Sequence, residues 1–376
     1  MKVKIQKRKF IRNIIIGIIA LFIVAFIINI APGYKRNKYQ DVTNLVIGDE
    51  NVTETLHNPI YKDENGVVYI SQEDVKQFLD KTIYYDEENN MVIATSEVSV
   101  ASMEIGEKTI NINGVDNDTL DTIIYHNNII YIPIEEMEIV YNLETKYLKD
   151  DDIVIIDKLN EGMIKAEAAE DTKIRFRPRG LSKKVGTLET GEVVSAFYTT
   201  SKGWRLIRTE DGIVGYVKAN TLTNEYILRQ DMGQKTETSK ISANTQDGAV
   251  LNIEGNSVII KDWLKITDEG ILLKNTEFTN ENSAVIWSNL EIENADISNY
   301  DNRTKLIKNI VSMVMKNNIK GINISVTSDD KNLERFIIEL APRLKEIGVS
   351  TNIVVQDSIN EEPYTNIVNY IITKVN

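Results

Sequence analysis

Lys320-Gly321-Ile322-Asn323-Ile324-Ser325-Val326-Thr327-Ser328-Asp329-Asp330-Lys331 reads as a strand, Gly321–Val326, running into a helix. From Lys331 to Ile347 the apolar residues Phe336, Ile337, Leu340 and Leu344 recur at three and four, the spacing of one helix face. Asp329 and Asp330 fall where an N-cap and a first-turn acid stabilise a helix start. On either side lie candidate strands at 249–253, 257–260, 284–287, 351–355 and 370–373, and a helix at 302–317 with Leu306, Ile310, Met313 and Val314 on one side. Strands alternating with helices specify a parallel sheet, so residues 245–376 are expected to form an α/β domain with Trp263 and Trp287 in its core.

Upstream, Asp231 to Asn244 is rich in Lys, Thr, Ser and Gln and reads as a linker. Before it, residues 168–224 carry short β-rich runs punctuated by glycine: Gly186-Thr187-Leu188, Gly191-Glu192-Val193-Val194, Gly203-Trp204-Arg205-Leu206 and Asp211-Gly212-Ile213-Val214-Gly215-Tyr216. That pattern suggests a small closed barrel. Lys173, Arg175, Arg177 and Arg179 alternate with Ile174, Phe176 and Pro178; in a strand the cations share one face. Between 170 and 222 ten cations stand against six acids, on a chain of net charge -13. This face either recruits an anionic ligand by charge-assisted hydrogen bonds or docks on an acidic neighbouring domain. Trp204 and Tyr216 are the aromatic residues of these runs.

Residues 41–160 hold two similar stretches. Pro59-Ile60-Tyr61, a turn at 62–66, Val67-Val68-Tyr69-Ile70 and the helical Glu73-to-Leu79 segment are echoed by Ile123-Ile124-Tyr125, a turn at 126–128, Ile129-Ile130-Tyr131-Ile132-Pro133 and Glu135-Glu136-Met137. Each copy is followed by two strands around an acidic turn, 86–90 and 149–152. Strand-like Lys108-Thr109-Ile110-Asn111-Ile112-Asn113-Gly114 lies between them.

At the N-terminus, Lys2, Lys4, Lys7, Arg8, Lys9 and Arg12 precede an apolar run whose extent, Phe10 to Ala31, approaches the ~20 residues that cross a bilayer. The cations mark the cytoplasmic flank, so residues after about 34 are expected outside, with 1–34 an uncleaved anchor. A signal peptide cut near Ala31 is the competing reading. The acidic remainder repels polyanions in general and argues against nucleic acid as a partner. With no cysteine there is no disulfide framework or thiolate site, and the two histidines, His57 and His126, sit in different copies of the repeat. Neither a metal nor another cofactor is expected.

Three resemblances organise these segments. Residues 41–160, through "INING" and "YIPIEEM", resemble the bacterial module named after the N-terminal domain of copper amine oxidases, which is not the copper-binding part of those enzymes. Residues 168–224, through "IRFRP", "GTLETGEVV", "GWRLIR" and "DGIVGYV", resemble the bacterial SH3-like domain, which implies binding of cell-wall peptide or glycan. Residues 245–376, through Asp262-Trp263-Leu264, Lys320 to Ile324, Phe336 to Leu344 and Tyr364 to Ile372, resemble glycoside hydrolase family 18. That family is a (β/α)8 barrel of about 250 residues, whereas 132 residues remain here, reaching the strand that resembles the sixth. The expected architecture is multi-domain: a transmembrane helix, an α+β repeat module, an all-β SH3-like barrel and an incomplete TIM-barrel-like α/β domain.

The family reads Asp-Gly-x-x-x-Asp-x-Glu at the fourth strand, its Glu protonating the glycosidic oxygen and its Asp orienting the acetamido group. At those positions stand Lys320, Gly321, Ser325 and Thr327. Cleavage needs a carboxylic acid that donates a proton, and a threonine hydroxyl does not supply one. The expectation is a membrane-anchored, extracytoplasmic envelope protein that holds peptidoglycan or another wall polymer through Lys173, Arg175, Arg177, Arg179, Trp204 and Tyr216. Its glycosidase-like domain would be non-catalytic, and other envelope proteins are possible partners. The alternative is a chitinase-like or peptidoglycan hydrolase of the wall or spore cortex with displaced catalytic residues.

Overall fold

The computed structural model describes residues 18–19, 39, 41–159, 162–228, 235–267, 270–273, 285–356 and 359–375. The expected anchor at 10–31 and its basic flank lie outside the described residues apart from Ile18 and Ile19. Among the described residues no helix is long and apolar enough to cross a membrane. The protein is multi-domain and mostly β, and it divides into two compact units: residues 1–68 with 142–230, and residues 69–141 with 231–376.

The first unit is built on a seven-stranded antiparallel sheet in the order Lys184–Leu188, Thr172–Arg175, Val214–Lys218, Trp204–Thr209, Val193–Thr199, Met163–Ala168, Leu222–Leu228. Period-two alternation sends Ala166, Ile174, Leu188, Val194, Ile207 and Val217 into one cluster, while Trp204, Leu206 and Tyr216 form a second, separate one. Gly215 permits the packing of the first: a Cβ there would lie 2.5 Å from Ile174 Cγ2. The basic strand is shorter than the alternation implies. It ends at Arg175; Pro178 has no N–H to continue a ladder, and the Arg177 amide turns to the Ser182 hydroxyl at 2.8 Å.

A second sheet in this unit pairs Asn44–Ile47 in parallel with Ile153–Lys158, flanked by Leu143–Leu148. Arg208 is buried at 3 % exposure against it. Its guanidinium donates to both carboxylate oxygens of Asp157, one contact being 2.9 Å, and to the Gly48 carbonyl. One of the ten cations counted toward a basic surface is therefore internal, because an acid faces it.

In the second unit the helix Gln72–Phe78 starts at Ser71, whose hydroxyl accepts from the Asp74 amide. A five-stranded meander follows: Tyr84–Asp86, Met91–Thr95, Val100–Glu104, Thr109–Ile112 and Val115–Asp118. Strands Ile124–His126 and Ile129–Pro133 form a hairpin whose two turn residues, Asn127 and Asn128, both have positive φ (52° and 64°).

The rest of this unit is a sheet in the order Ser239–Ala243, Tyr370–Lys374, Ser350–Val355, Gly321–Val326, Val285–Ile292, Asn256–Thr267, Val250–Ile253, parallel except for the last hairpin and for Gly270–Leu273, which pairs antiparallel with Asn256–Thr267. Helices Tyr300–Lys316 and Lys331–Glu346 cover one face, where Ile310, Val314, Ile324, Phe336, Leu340 and Ile353 meet. On the other face Val258, Ile260, Trp287, Val354 and Ile372 pack with Ile241 and Leu251 from strands at the two ends of the order. The sheet thus curls around Trp287 while its strand order stays open. Ser239–Ala243 corrects the linker reading of 231–244. Polar Ser239, Lys240 and Ser242 face solvent as on any edge strand, and Ile241 and Ala243 supply the only apolar signal.

Arg303 and Glu339, one on each helix, are fully buried at 0 % and 1 % exposure. Arg303 Nε lies 3.0 Å from both Glu339 oxygens, Nη1 donates to the Ile297 and Ser298 carbonyls, and Nη2 donates to the Tyr84 hydroxyl at 2.7 Å. Tyr84 in turn donates to Glu339 at 2.6 Å, and Arg335 stacks on its ring. Burial raises the Glu339 carboxyl above its ordinary range, opposed by Arg303 and Tyr84; the Tyr84 hydroxyl is raised, first by burial and then by Glu339.

Removing one member strands the other charge, so Glu339→Ala should destabilise the second unit by about 3–5 kcal/mol in chemical denaturation. The paired replacement Arg303→Met with Glu339→Leu should recover most of that loss. A Cβ on Gly321 would meet the Trp287 indole at 2.4 Å, backed by a packed core. Gly321→Ala should cost about 1–3 kcal/mol, with the Trp287 environment altered in near-ultraviolet circular dichroism.

Candidate functional site

The parallel strands carry a layer of amides. Asn289, Asn323 and Asn352 stand directly opposite one another in register. Asn352 Nδ2 donates to Asn323 Oδ1 at 2.9 Å, and Asn323 Nδ2 to Asn289 Oδ1 at 3.0 Å. Ser350 closes one end by donating to Asn352 at 2.6 Å; at the other, Asn289 donates to Asp262 at 2.6 Å and to the Thr245 carbonyl at 2.8 Å. Asn323 and Asn352 are buried, and each satisfies its amide through the next strand, which is what makes a polar layer tolerable inside a sheet. The chain of hydrogen bonds surfaces at exposed Asp262.

Above this layer, at the carboxyl ends of the strands, a cavity of about 620 Å³ has polar lining from Thr245, Asp247, Asp262, Asn289, Glu291, Ser325, Thr327, Asp330 and Lys374 and apolar lining from Leu264, Leu290, Ile292, Ile297, Ile324 and Leu333. Ligands of parallel α/β sheets sit at this end. Ser325 and Thr327 both reach the cavity. Lys320, whose amide donates to the Ile286 carbonyl, precedes the strand and does not line it.

The carboxylates in the lining are tied to the frame. Asp330 caps Lys331–Glu346, its Oδ1 accepting from the Asn332 and Leu333 amides at 2.8 and 3.5 Å. Asp262 accepts from Asn289, and Asp247 accepts from the Asp262 amide at 3.1 Å. Asp329 is outside the lining and accepts from the Asn360 amide at 3.4 Å. Ser325 and Thr327 offer the cavity hydroxyls. These donate and accept hydrogen bonds to a bound polyol or amide but do not protonate a leaving oxygen.

The first unit holds the other candidate surface. Arg175 pairs across strands with Tyr216, which pairs with Leu206; the three share a face with Trp204 and Val214. Trp204 and Tyr216 are mostly buried, Lys218 Nζ stands 4.7 Å from the Trp204 ring centroid, and the Tyr216 hydroxyl meets that of half-exposed Tyr198 at 2.6 Å. Lys173 and Arg179 are exposed, Arg177 is half-buried, and Arg175 Nη1 donates to the Ser182 carbonyl at 2.8 Å. The six residues singled out from sequence thus fall on three neighbouring strands and the loop that follows Arg175.

Thr245, Asp247, Asn289, Asn352 and Lys374 were not singled out from sequence. For the amides the signal was faint: one Asn falls in each of three strands that also carry Ser, Thr or Glu. The donor set does not fit a copper centre. His57 and His126 belong to different units, His126 Nε2 contacts the Asn127 amide at 3.0 Å, and among the described residues no group of three His, Asp or Glu side chains is placed to hold an ion.

Residues 47–156 match the family model of the copper amine oxidase N-terminal domain. A comparison with curated proteins finds no match. Among solved structures, a protein of Bacillus subtilis named as a sporulation-specific glycosylase is 20 % identical over 33 % of this chain and 53 % of its own, with a TM-score of 0.28. The spore cortex-lytic enzyme of Bacillus cereus is 16 % identical over 39 % and 43 %, with a TM-score of 0.29. A chitinase of Chromobacterium violaceum is 14 % identical over 36 % and 50 %, with a TM-score of 0.25. The chain spans about half the length of these structures.

Because Asn323 serves both neighbours, Asn323→Leu leaves an acceptor on Asn289 and a donor on Asn352 unpaired. A loss of about 1–3 kcal/mol is expected in thermal or chemical denaturation, and Asn323→Asp should be tolerated no better, since it removes the donor toward Asn289.

Proposed function

We propose that this protein is a membrane-anchored, extracytoplasmic component of the cell envelope that binds wall polymer without cleaving it. The observation that carries the reading is the composition of the strand-end cavity, where hydroxyls of Ser325 and Thr327 occupy the positions that hold the orienting Asp and proton-donating Glu in glycoside hydrolase family 18. Asn289, at one end of the amide layer, gives that cavity a polar side chain fixed by its hydrogen bonds to Asn323 and Asp262. The basic and aromatic face around Arg175 and Tyr216 supports an SH3-like wall-binding role: cations for carboxylate or phosphate, ring edges for sugar or peptide. The apolar run at 10–31 supports the anchor.

A hydrolase reading draws on Asp262, Glu291 and Asp330 in the same cavity. The two readings separate in one assay on the full chain in detergent. Binding predicts co-sedimentation with purified wall sacculi that falls with added salt, weakens several-fold in the Arg175→Glu, Arg177→Glu, Arg179→Glu variant, and proceeds with no release of reducing sugar from sacculi or chitin. Turnover that disappears on changing Asp262 or Asp330 to Asn would overturn the binding reading in favour of the enzyme.

A further inference from the structure

We propose that the hairpin tip joining Thr172–Arg175 to Lys184–Leu188 docks on an anionic phospholipid surface, Leu181 entering the interface while Lys183 and Lys184 meet lipid phosphates, which leaves the wall polymer to the arginines around Arg175. From Thr172 to Leu188 the chain carries six cations and no acid, although the protein as a whole has a net charge of -13. Leu181, at the apex, is completely exposed (101 %). Single exposed leucines are ordinary. One set between Arg179 and the Lys183-Lys184 pair has the make-up of a segment that sits at the bilayer interface: an apolar group to immerse and cations to hold the headgroups.

The tip is ordered before it meets a partner. The Phe176 amide donates to the Lys183 carbonyl at 3.0 Å, the Arg177 amide to Ser182 Oγ at 2.8 Å, and the Ser182 amide to the Arg179 carbonyl at 3.1 Å. Phe176 and Ser182 are buried beneath it. Little conformational freedom is left to lose on docking. A phosphate-bearing wall polymer would satisfy the cations but offers no apolar layer to Leu181, and this favours lipid. The proposal rests on the anchored reading for proximity: thirteen residues lead from Ala31 to Asn44, which span at most about 45 Å when extended.

The chain lacks cysteine, and a side chain at Gly180 would meet no atom within 4 Å, so Gly180→Cys accepts a single environment-sensitive fluorophore beside an intact Leu181. The labelled full chain is reconstituted into phosphatidylcholine vesicles with or without phosphatidylglycerol. With phosphatidylglycerol the emission should shift to the blue and be quenched by brominated lipid. Leu181→Asp should abolish both effects, and Lys183→Ser with Lys184→Ser should reduce the docked-to-free ratio about fivefold per charge. Absence of quenching, or equal quenching without phosphatidylglycerol, overturns the proposal. So does a label that responds to purified sacculi and not to vesicles, which assigns the tip to the wall. Failure of the anchored reading is separately visible as release of the chain from vesicles by alkaline carbonate, and failure of wall binding as loss of sacculus co-sedimentation.

Discussion

A guanidinium and a carboxylate, Arg303 and Glu339, are held out of water between two helices, and the second unit is arranged around keeping both satisfied. Desolvating two charges costs several kcal/mol per ion, which mutual attraction offsets only when the remaining donors also find partners. Here they do: two carbonyls at the start of Tyr300–Lys316 and the Tyr84 hydroxyl complete the shell. Tyr84 comes from the meander that follows Gln72–Phe78, so the charge pair binds 69–141 to the helices of the curled sheet. Apolar packing alone would accept many helix registers; this pair accepts few.

The same unit confines its second polar network to one layer. Below Asn289, Asn323 and Asn352 the inner face of the sheet is apolar around Trp287, with Gly321 leaving room for the indole. Above the layer the strands open into the cavity. Asn289 is the member of the layer that lines the cavity, and its amide is held by Asn323, Asp262 and the Thr245 carbonyl.

Much of this was legible in the sequence because local signals and tertiary needs agreed. The repeat of Phe336, Ile337, Leu340 and Leu344 is the buried stripe of Lys331–Glu346, and Asp330 is its cap. Two elements were hidden. Ser239–Ala243 shows only two apolar residues, because an edge strand buries one side, and its pairing partner lies more than a hundred residues away. Arg208 looks like one more surface cation until Asp157, on a strand from another part of the chain, is seen to face it.

By itself the chain determined the two long helices and most strands of the parallel sheet, that hydroxyls stand at Ser325 and Thr327, and that cations cluster between Lys173 and Lys184, since these depend on residue identity and short-range period. Only the tertiary structure decided that residues 41–160 are shared between two compact units, that three asparagines from three strands form one hydrogen-bonded layer, and that Arg303 and Glu339 are a pair. Such contacts join positions tens of residues apart, and the energy that selects them comes from satisfying buried polar groups, which no local pattern encodes.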